Sequence, residues 1–149
     1  MALNLRQCRQ LVRLNDKPTD VEAHFQLGVC YINIGNFSAA DERFGSAVRL
    51  DAEYGYKIGE KYKIVGDEAL QNGRTNKALK LYKKAVKYQP NLKKPIAQKC
   101  FAVGKDYLNK YQSGRADRFL STAVAYALTS ISIGVFYCHL MISAILVNL

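Results

Sequence analysis

An all-α solenoid of stacked helical hairpins is the fold that this chain of 149 residues predicts, and three observations predict it. Gly28, Gly66 and Gly104 stand 38 residues apart. Two alanine rows, Ala40/Ala78/Ala116 and Ala47/Ala85/Ala123, keep the same interval. Each copy also keeps one internal spacing, Gly-x11-Ala-x6-Ala. A lone helical hairpin cannot cover its own apolar face, so repetition is itself a folding signal, because each neighbour supplies the missing cover. Large residues follow the same frame. Phe44, Tyr82 and Leu120 fall midway between the alanines, and Leu27, Val65 and Val103 precede the glycines. Small side chains let paired helices approach, and the large ones fill the space between them.

The elements follow in order. Residues 1–18 carry Leu5, Cys8, Leu11 and Val12 roughly on one side, which predicts an N-terminal helix, part of an incomplete repeat, lying over the first hairpin. Three arginines and no apolar run of seven or more in the first 14 residues disfavour a secretory signal there. Thr19 with Glu22, and Ser38 with Asp41, have capping-pair spacing, so helices are expected to begin near Asp20 and Ala39. Gly35 and Gly73 punctuate the hairpin turns, whereas Tyr111 occupies that place in the third copy and Gly114 comes three residues later. Pro95 suits the first turn of a third inner helix, where its missing N–H costs nothing.

Beyond Arg118 the remaining 31 residues hold no Asp, Glu, Lys or Arg. Residues 128–147 would make a helix of about 30 Å, the thickness of a bilayer's hydrocarbon core. Three readings of this segment stay open: a membrane anchor, a helix that packs on the solenoid or buries itself in an oligomer, and an end not native to the repeats. For the anchor, Lys105, Lys110, Arg115 and Arg118 at its N-terminal side place the repeats facing the cytoplasm. The chain therefore divides into 1–18, the repeats at 19–128, and the apolar segment at 129–149.

The net charge of +10 is concentrated. Ten basic residues and no acid lie between Glu68 and Asp106, and the rest of the chain sums to zero. With Ala78, Tyr82 and Ala85 inward, Lys77, Lys80, Lys84 and Lys87 form an outward stripe at helical spacing. Such a stripe is either a solvated face or an attraction to an anionic membrane surface or acidic protein. Nucleic acid is disfavoured, since Tyr82 and Tyr88 sit at core positions and offer no exposed stacking platform. Cys8, Cys30, Cys100 and Cys138 lack the C-x2-C spacing of a metal site and read as small buried hydrophobes. Cys138 and His139 are adjacent, about 100° apart on a helix, and so do not form a nucleophile–base pair. No Gly-rich phosphate loop occurs. Neither catalytic residues nor a cofactor or metal are expected.

Leu27-Gly28, Tyr31, Gly35, Phe37, Ala40, Phe44 and Ala47 together resemble the tetratricopeptide repeats. The second copy carries Gly66, Gly73, Ala78, Tyr82, Ala85 and Pro90, with Ala69 where the family has Tyr. The third carries Gly104, Tyr107, Ala116, Leu120 and Ala123. The family period is about 34 residues, so each unit here holds about four more, and residues 54–57 are the expected place for them. The resemblance implies a non-catalytic scaffold whose groove holds an extended peptide or a partner's helix. It places Phe25 and Val29, Lys63 and Asp67, and Phe101 and Lys105 in that groove, with Asn33, Gln71 and Asn109 one turn on. Phe25, Val29 and Phe101 would be apolar anchors, Lys63 and Lys105 would meet an acidic group, and Asp67 a basic one. A clamp for a C-terminal carboxylate is not implied, because Phe25 and Val29 stand where the family's clamp has Lys and Asn. The sequence thus reads as a protein-binding scaffold tethered to a membrane by its C-terminal helix. Its alternative is a soluble adaptor that oligomerises through the same helix.

Overall fold

A computed structural model describes Cys8 and residues 20–128. The expected helix over residues 1–18 (Cys8 apart), the capping role of Thr19 and the apolar segment 129–149 lie outside the described residues. The elements are α1 (Val21–Asn33), α2 (Phe37–Leu50), α3 (Tyr54–Gln71), α4 (Thr75–Tyr88), a 3-10 turn (Pro90–Leu92), α5 (Lys93–Asn109) and α6 (Ser113–Leu128). The fold is all-α, and every regular element among the described residues is helical. Helices pair in sequence order, α1 with α2, α3 with α4 and α5 with α6. The chain resolves into two compact units, Met1–Pro90 and Asn91–Leu149.

Each repeat glycine marks a close approach within its hairpin, and the large residue of the frame is what it meets. A Cβ added at Gly28 would lie 2.3 Å from the Phe44 ring. One at Gly66 would lie 2.8 Å from the Tyr82 ring, and one at Gly104 2.7 Å from Leu120. These separations are far inside van der Waals contact, so no larger residue fits without moving the partner helix or the ring. The alanines of the frame, Ala40, Ala47, Ala78, Ala85, Ala116 and Ala123, are all buried.

Helix ends explain the turns. α1, α3 and α5 each terminate in the same way. The N–H groups of Gly35, Gly73 and Tyr111 donate to the carbonyls of Ile32, Leu70 and Leu108 at 3.0, 2.9 and 2.9 Å. Those of Asn36, Arg74 and Gln112 reach back to Tyr31, Ala69 and Tyr107 at 2.9, 2.8 and 2.9 Å. This is the Schellman arrangement, which requires a left-handed residue after the helix. Gly35 and Gly73 supply it at φ 82° and 70°. Tyr111 adopts it at φ 55° despite its side chain. The N-terminal caps differ from expectation. Asp20 accepts from the Ala23 N–H at 3.0 Å, and Asn36 accepts from the Ala39 N–H at 3.2 Å. Asn36 holds α2 two residues before the expected Ser38, because a side-chain amide oxygen leaving the Gly35 turn reaches the first free donors. Pro95 does lie in the first turn of α5.

The first unit is built around Phe44 of α2. Its ring lies 5.9 Å from Phe25 of α1, 5.4 Å from Tyr62 of α3 and 6.3 Å from Tyr88 of α4. Tyr62 and Tyr88 stack at 5.9 Å. Residues 54–57 form the first turn of α3, and the added length lets that end run beside the end of α4. Gly55 and Gly59 make this possible: added Cβ atoms would lie 3.1 Å from the Tyr88 carbonyl and 2.5 Å from Gln89 Cβ. Cys30 is not a lone buried thiol, as it forms a disulfide with Cys8. Connectivity of this kind is invisible to spacing rules, since the partners are 22 residues apart in a chain with no paired-cysteine motif. In the second unit, Ile96, Cys100, Ala116 and Phe119 are buried between α5 and α6, with Tyr107 stacked on Phe119 at 5.8 Å.

Candidate partner-binding surfaces

The inner helices of the hairpins present the expected groove positions unequally. Asn33 at the end of α1, Gln71 at the end of α3 and Asn109 at the end of α5 are all exposed, each at the same register in its hairpin. Phe101 is 38% exposed, and Lys105 beside it is exposed, its ammonium 6.0 Å from the Phe101 ring. Lys63 is half-buried and pairs with Glu60 at 3.3 Å, one turn earlier on α3. Asp67 accepts a hydrogen bond from the Tyr82 hydroxyl at 2.6 Å, so its carboxylate also ties α3 to α4.

Two apolar positions sit deeper than a surface anchor would. Val29 is only 8% exposed. Phe25 is half-buried between Phe44 and Tyr54, with the Tyr54 ring edge-on at 5.6 Å. For Phe25 the cause is the extra turn of α3: Tyr54 reaches back to α1, and its hydroxyl donates to Glu22 Oε2 at 2.7 Å. The hydrogen bonds of Gln26 and Tyr54 hold the Glu22 carboxyl below its usual pKa, while the same bond raises the phenol of Tyr54. Tyr54, Glu22 and Gln26 were not singled out by the repeat frame; the cue was the aromatic pair Tyr54 and Tyr56 in the added residues.

The basic stripe of α4 is not uniformly solvent-facing. Lys80 and Lys87 are exposed, and Lys77 lies 4.9 Å from the Phe37 ring. Lys84 corrects the expectation: it is half-buried and bonds Asp41 of α2. Asp41 accepts from the Tyr62 hydroxyl as well, at 2.6 Å. Burial, and then the Asp41 bond, push the Tyr62 phenol far above its ordinary value. Asp41 thereby joins α2 to both α3 and α4. The carboxylate 43 residues earlier in the chain redirects Lys84, a pairing that the local helical spacing of α4 does not contain.

Among the described residues no helix is long and apolar enough to cross a membrane. A family model for the tetratricopeptide repeat matches residues 21–54 and 64–92. The BBSome complex member BBS4 of Mus musculus is 35% identical over 81 residues, and that of Bos taurus 33% over the same length. Each alignment covers 54% of this chain and 14% of the relative, so the likeness spans a small part of those proteins. A crystal structure of MamA is 21% identical, covering 85% of this chain and 68% of that one, with a TM-score of 0.35. The unmatched gap between the two matched segments falls in the N-terminal half of α3, where the added turn lies. With its helices paired through the repeat glycines and two segments matched by the family model, residues 21–54 and 64–92 are tetratricopeptide repeats, the building block of protein-interaction scaffolds.

Proposed function

We propose that this scaffold binds an extended peptide, or a partner's helix, along the inner helices of its hairpins. The observation that carries the reading is the recurrence of an exposed side-chain amide at one register: Asn33, Gln71 and Asn109. An amide offers donor and acceptor together, which matches the alternating N–H and C=O groups of an extended main chain. Phe101 and Lys105 supply an apolar contact and a charge for an acidic residue of the ligand. On α3, Lys63 and Asp67 act through the charge left over from their bonds within the unit. Phe25 and Val29 serve by shaping the surface from beneath. The likeness to a BBSome complex member supports a place in a multiprotein assembly. Among the described residues no constellation supports a catalytic role.

A peptide library displayed on phage and selected on the full chain tests this. Selected peptides should bind the Asn33→Ala/Gln71→Ala/Asn109→Ala variant at least about tenfold more weakly, with an unchanged melting temperature. Equal affinity for wild type and variant would refute the amide row. The charge-free sequence of residues 128–147 supports, in addition, a membrane tether, with oligomerisation through that segment as the competing reading. Detergent-dependent release of the full chain, lost on deleting residues 130–149, is the tether's signature. A drop in assembly size on the same deletion is the oligomer's.

A further inference from the structure

The third hairpin turn keeps the Schellman geometry without the residue that makes it easy to adopt. Tyr111 stands at φ 55° where its counterparts in the other two hairpins are glycines. A Cβ disfavours this left-handed conformation, and the side chain makes no compensating burial, being 97% exposed. Leu108, whose carbonyl accepts the Tyr111 N–H at 2.9 Å, is 45% exposed. Lys105, Lys110 and Arg115, all exposed, accompany them, and residues 105–118 carry four cations against the carboxylates of Asp106 and Asp117. An aromatic wedge that stands clear of the surface does not line a pocket for a peptide, since anchors for proteins sit in desolvated hollows. It suits a deformable surface. Tyr prefers the headgroup level of a bilayer, an aliphatic neighbour reaches the acyl boundary, and cations gather at anionic headgroups.

We propose that the turn between α5 and α6 is a peripheral membrane-docking tip. Tyr111 and Leu108 enter the interface of an anionic phospholipid bilayer, and Lys105, Lys110 and Arg115 engage its headgroups. This surface shares Lys105 with the proposed peptide site and adjoins Asn109, but its insertion rests on Tyr111 and Leu108, which that site does not use, and not on the apolar segment 129–149.

The chain contains no Trp, so Tyr111→Trp in the full chain places a single reporter at the tip. Its emission should blue-shift on adding phosphatidylcholine vesicles that contain phosphatidylserine. The shift should be absent with phosphatidylcholine alone and abolished by high salt. Tyr56→Trp, on the exposed surface of α3, should not shift. The Tyr111→Gly variant should sediment less with the anionic vesicles while melting no lower than wild type. Unchanged Tyr111→Trp emission, an equal shift at position 56, a shift of equal size on neutral vesicles, or a shift given by polyglutamate and not by vesicles would each overturn the proposal. The last outcome would assign the tip to an acidic protein.

Discussion

The second and third hairpins share one frame and solve it with different chemistry. In α3–α4 the residue facing the repeat glycine is Tyr82, fully buried, its hydroxyl bonded to Asp67, and the turn is closed by Gly73. In α5–α6 the facing residue is Leu120, only half-buried and without a polar handle, and the turn is closed by Tyr111. The frame therefore fixes where helices meet, whereas the identity of the large residue and of the turn residue decides how firmly. A ring with a hydroxyl specifies both depth and orientation of packing. A leucine specifies depth alone.

Truncating the facing residue should separate the hairpins most. Tyr82→Ala should cost about 3–5 kcal/mol and Leu120→Ala about 2 kcal/mol, because the leucine gives up less buried surface. Hydrogen exchange of each hairpin, followed by mass spectrometry, reads the two losses separately, and equal losses would break the contrast. Filling the closest approach comes next. Gly66→Ala and Gly104→Ala should each destabilise their own hairpin by about 1–3 kcal/mol, in spite of the better helix propensity of alanine. A neutral Gly104→Ala would show that Leu120 yields where Tyr82 does not. Tyr82→Phe, which keeps the ring and removes its bond to Asp67, should cost about 1 kcal/mol in chemical denaturation.

Tyr111→Gly should act in the opposite direction, raising stability by about 1 kcal/mol, while Gly73→Ala lowers it by a similar amount. Thermal melts of the two variants test the turn directly, and a destabilised Tyr111→Gly would mean that the tyrosine contributes packing. The smallest effect at neutral pH grows with alkalinity. The phenols of Tyr54, Tyr62 and Tyr88 in the first unit, and of Tyr126 in the second, have raised values. Their folded forms hold the proton more tightly than the unfolded chain does. The associated stability is present below pH 10.0 and is lost as the pH climbs beyond it. Exchange protection should therefore fall sooner and further in the first unit, and Tyr62→Phe should remove much of the difference.

The pairing of helices was legible because the small residues of a close contact admit no substitutes, so Gly28, Gly66 and Gly104 repeat visibly. The added turn at residues 54–57 was legible from the period alone. What that turn touches was not: Tyr54 packs edge-on against Phe25 of α1, which leaves that ring half-buried. That outcome depends on a neighbouring hairpin and not on the helix that carries Phe25. Lys84 was misread for the same reason, since helical spacing assigns a face but not what lies opposite it. The start of α2 was misjudged because Ser38 and Asn36 both have capping chemistry, and only the geometry of the Gly35 turn decides between them.

In an array whose units touch only their neighbours, the strength of each junction decides whether the units melt together or one by one. Asp41 is such a junction, one carboxylate accepting from Tyr62 of α3 and from Lys84 of α4. Its loss would leave each of the first two hairpins its own contacts, remove a shared one and strand the buried Tyr62 hydroxyl, so the transition of the first unit would both broaden and move down. One carboxylate here carries stability and cooperativity together.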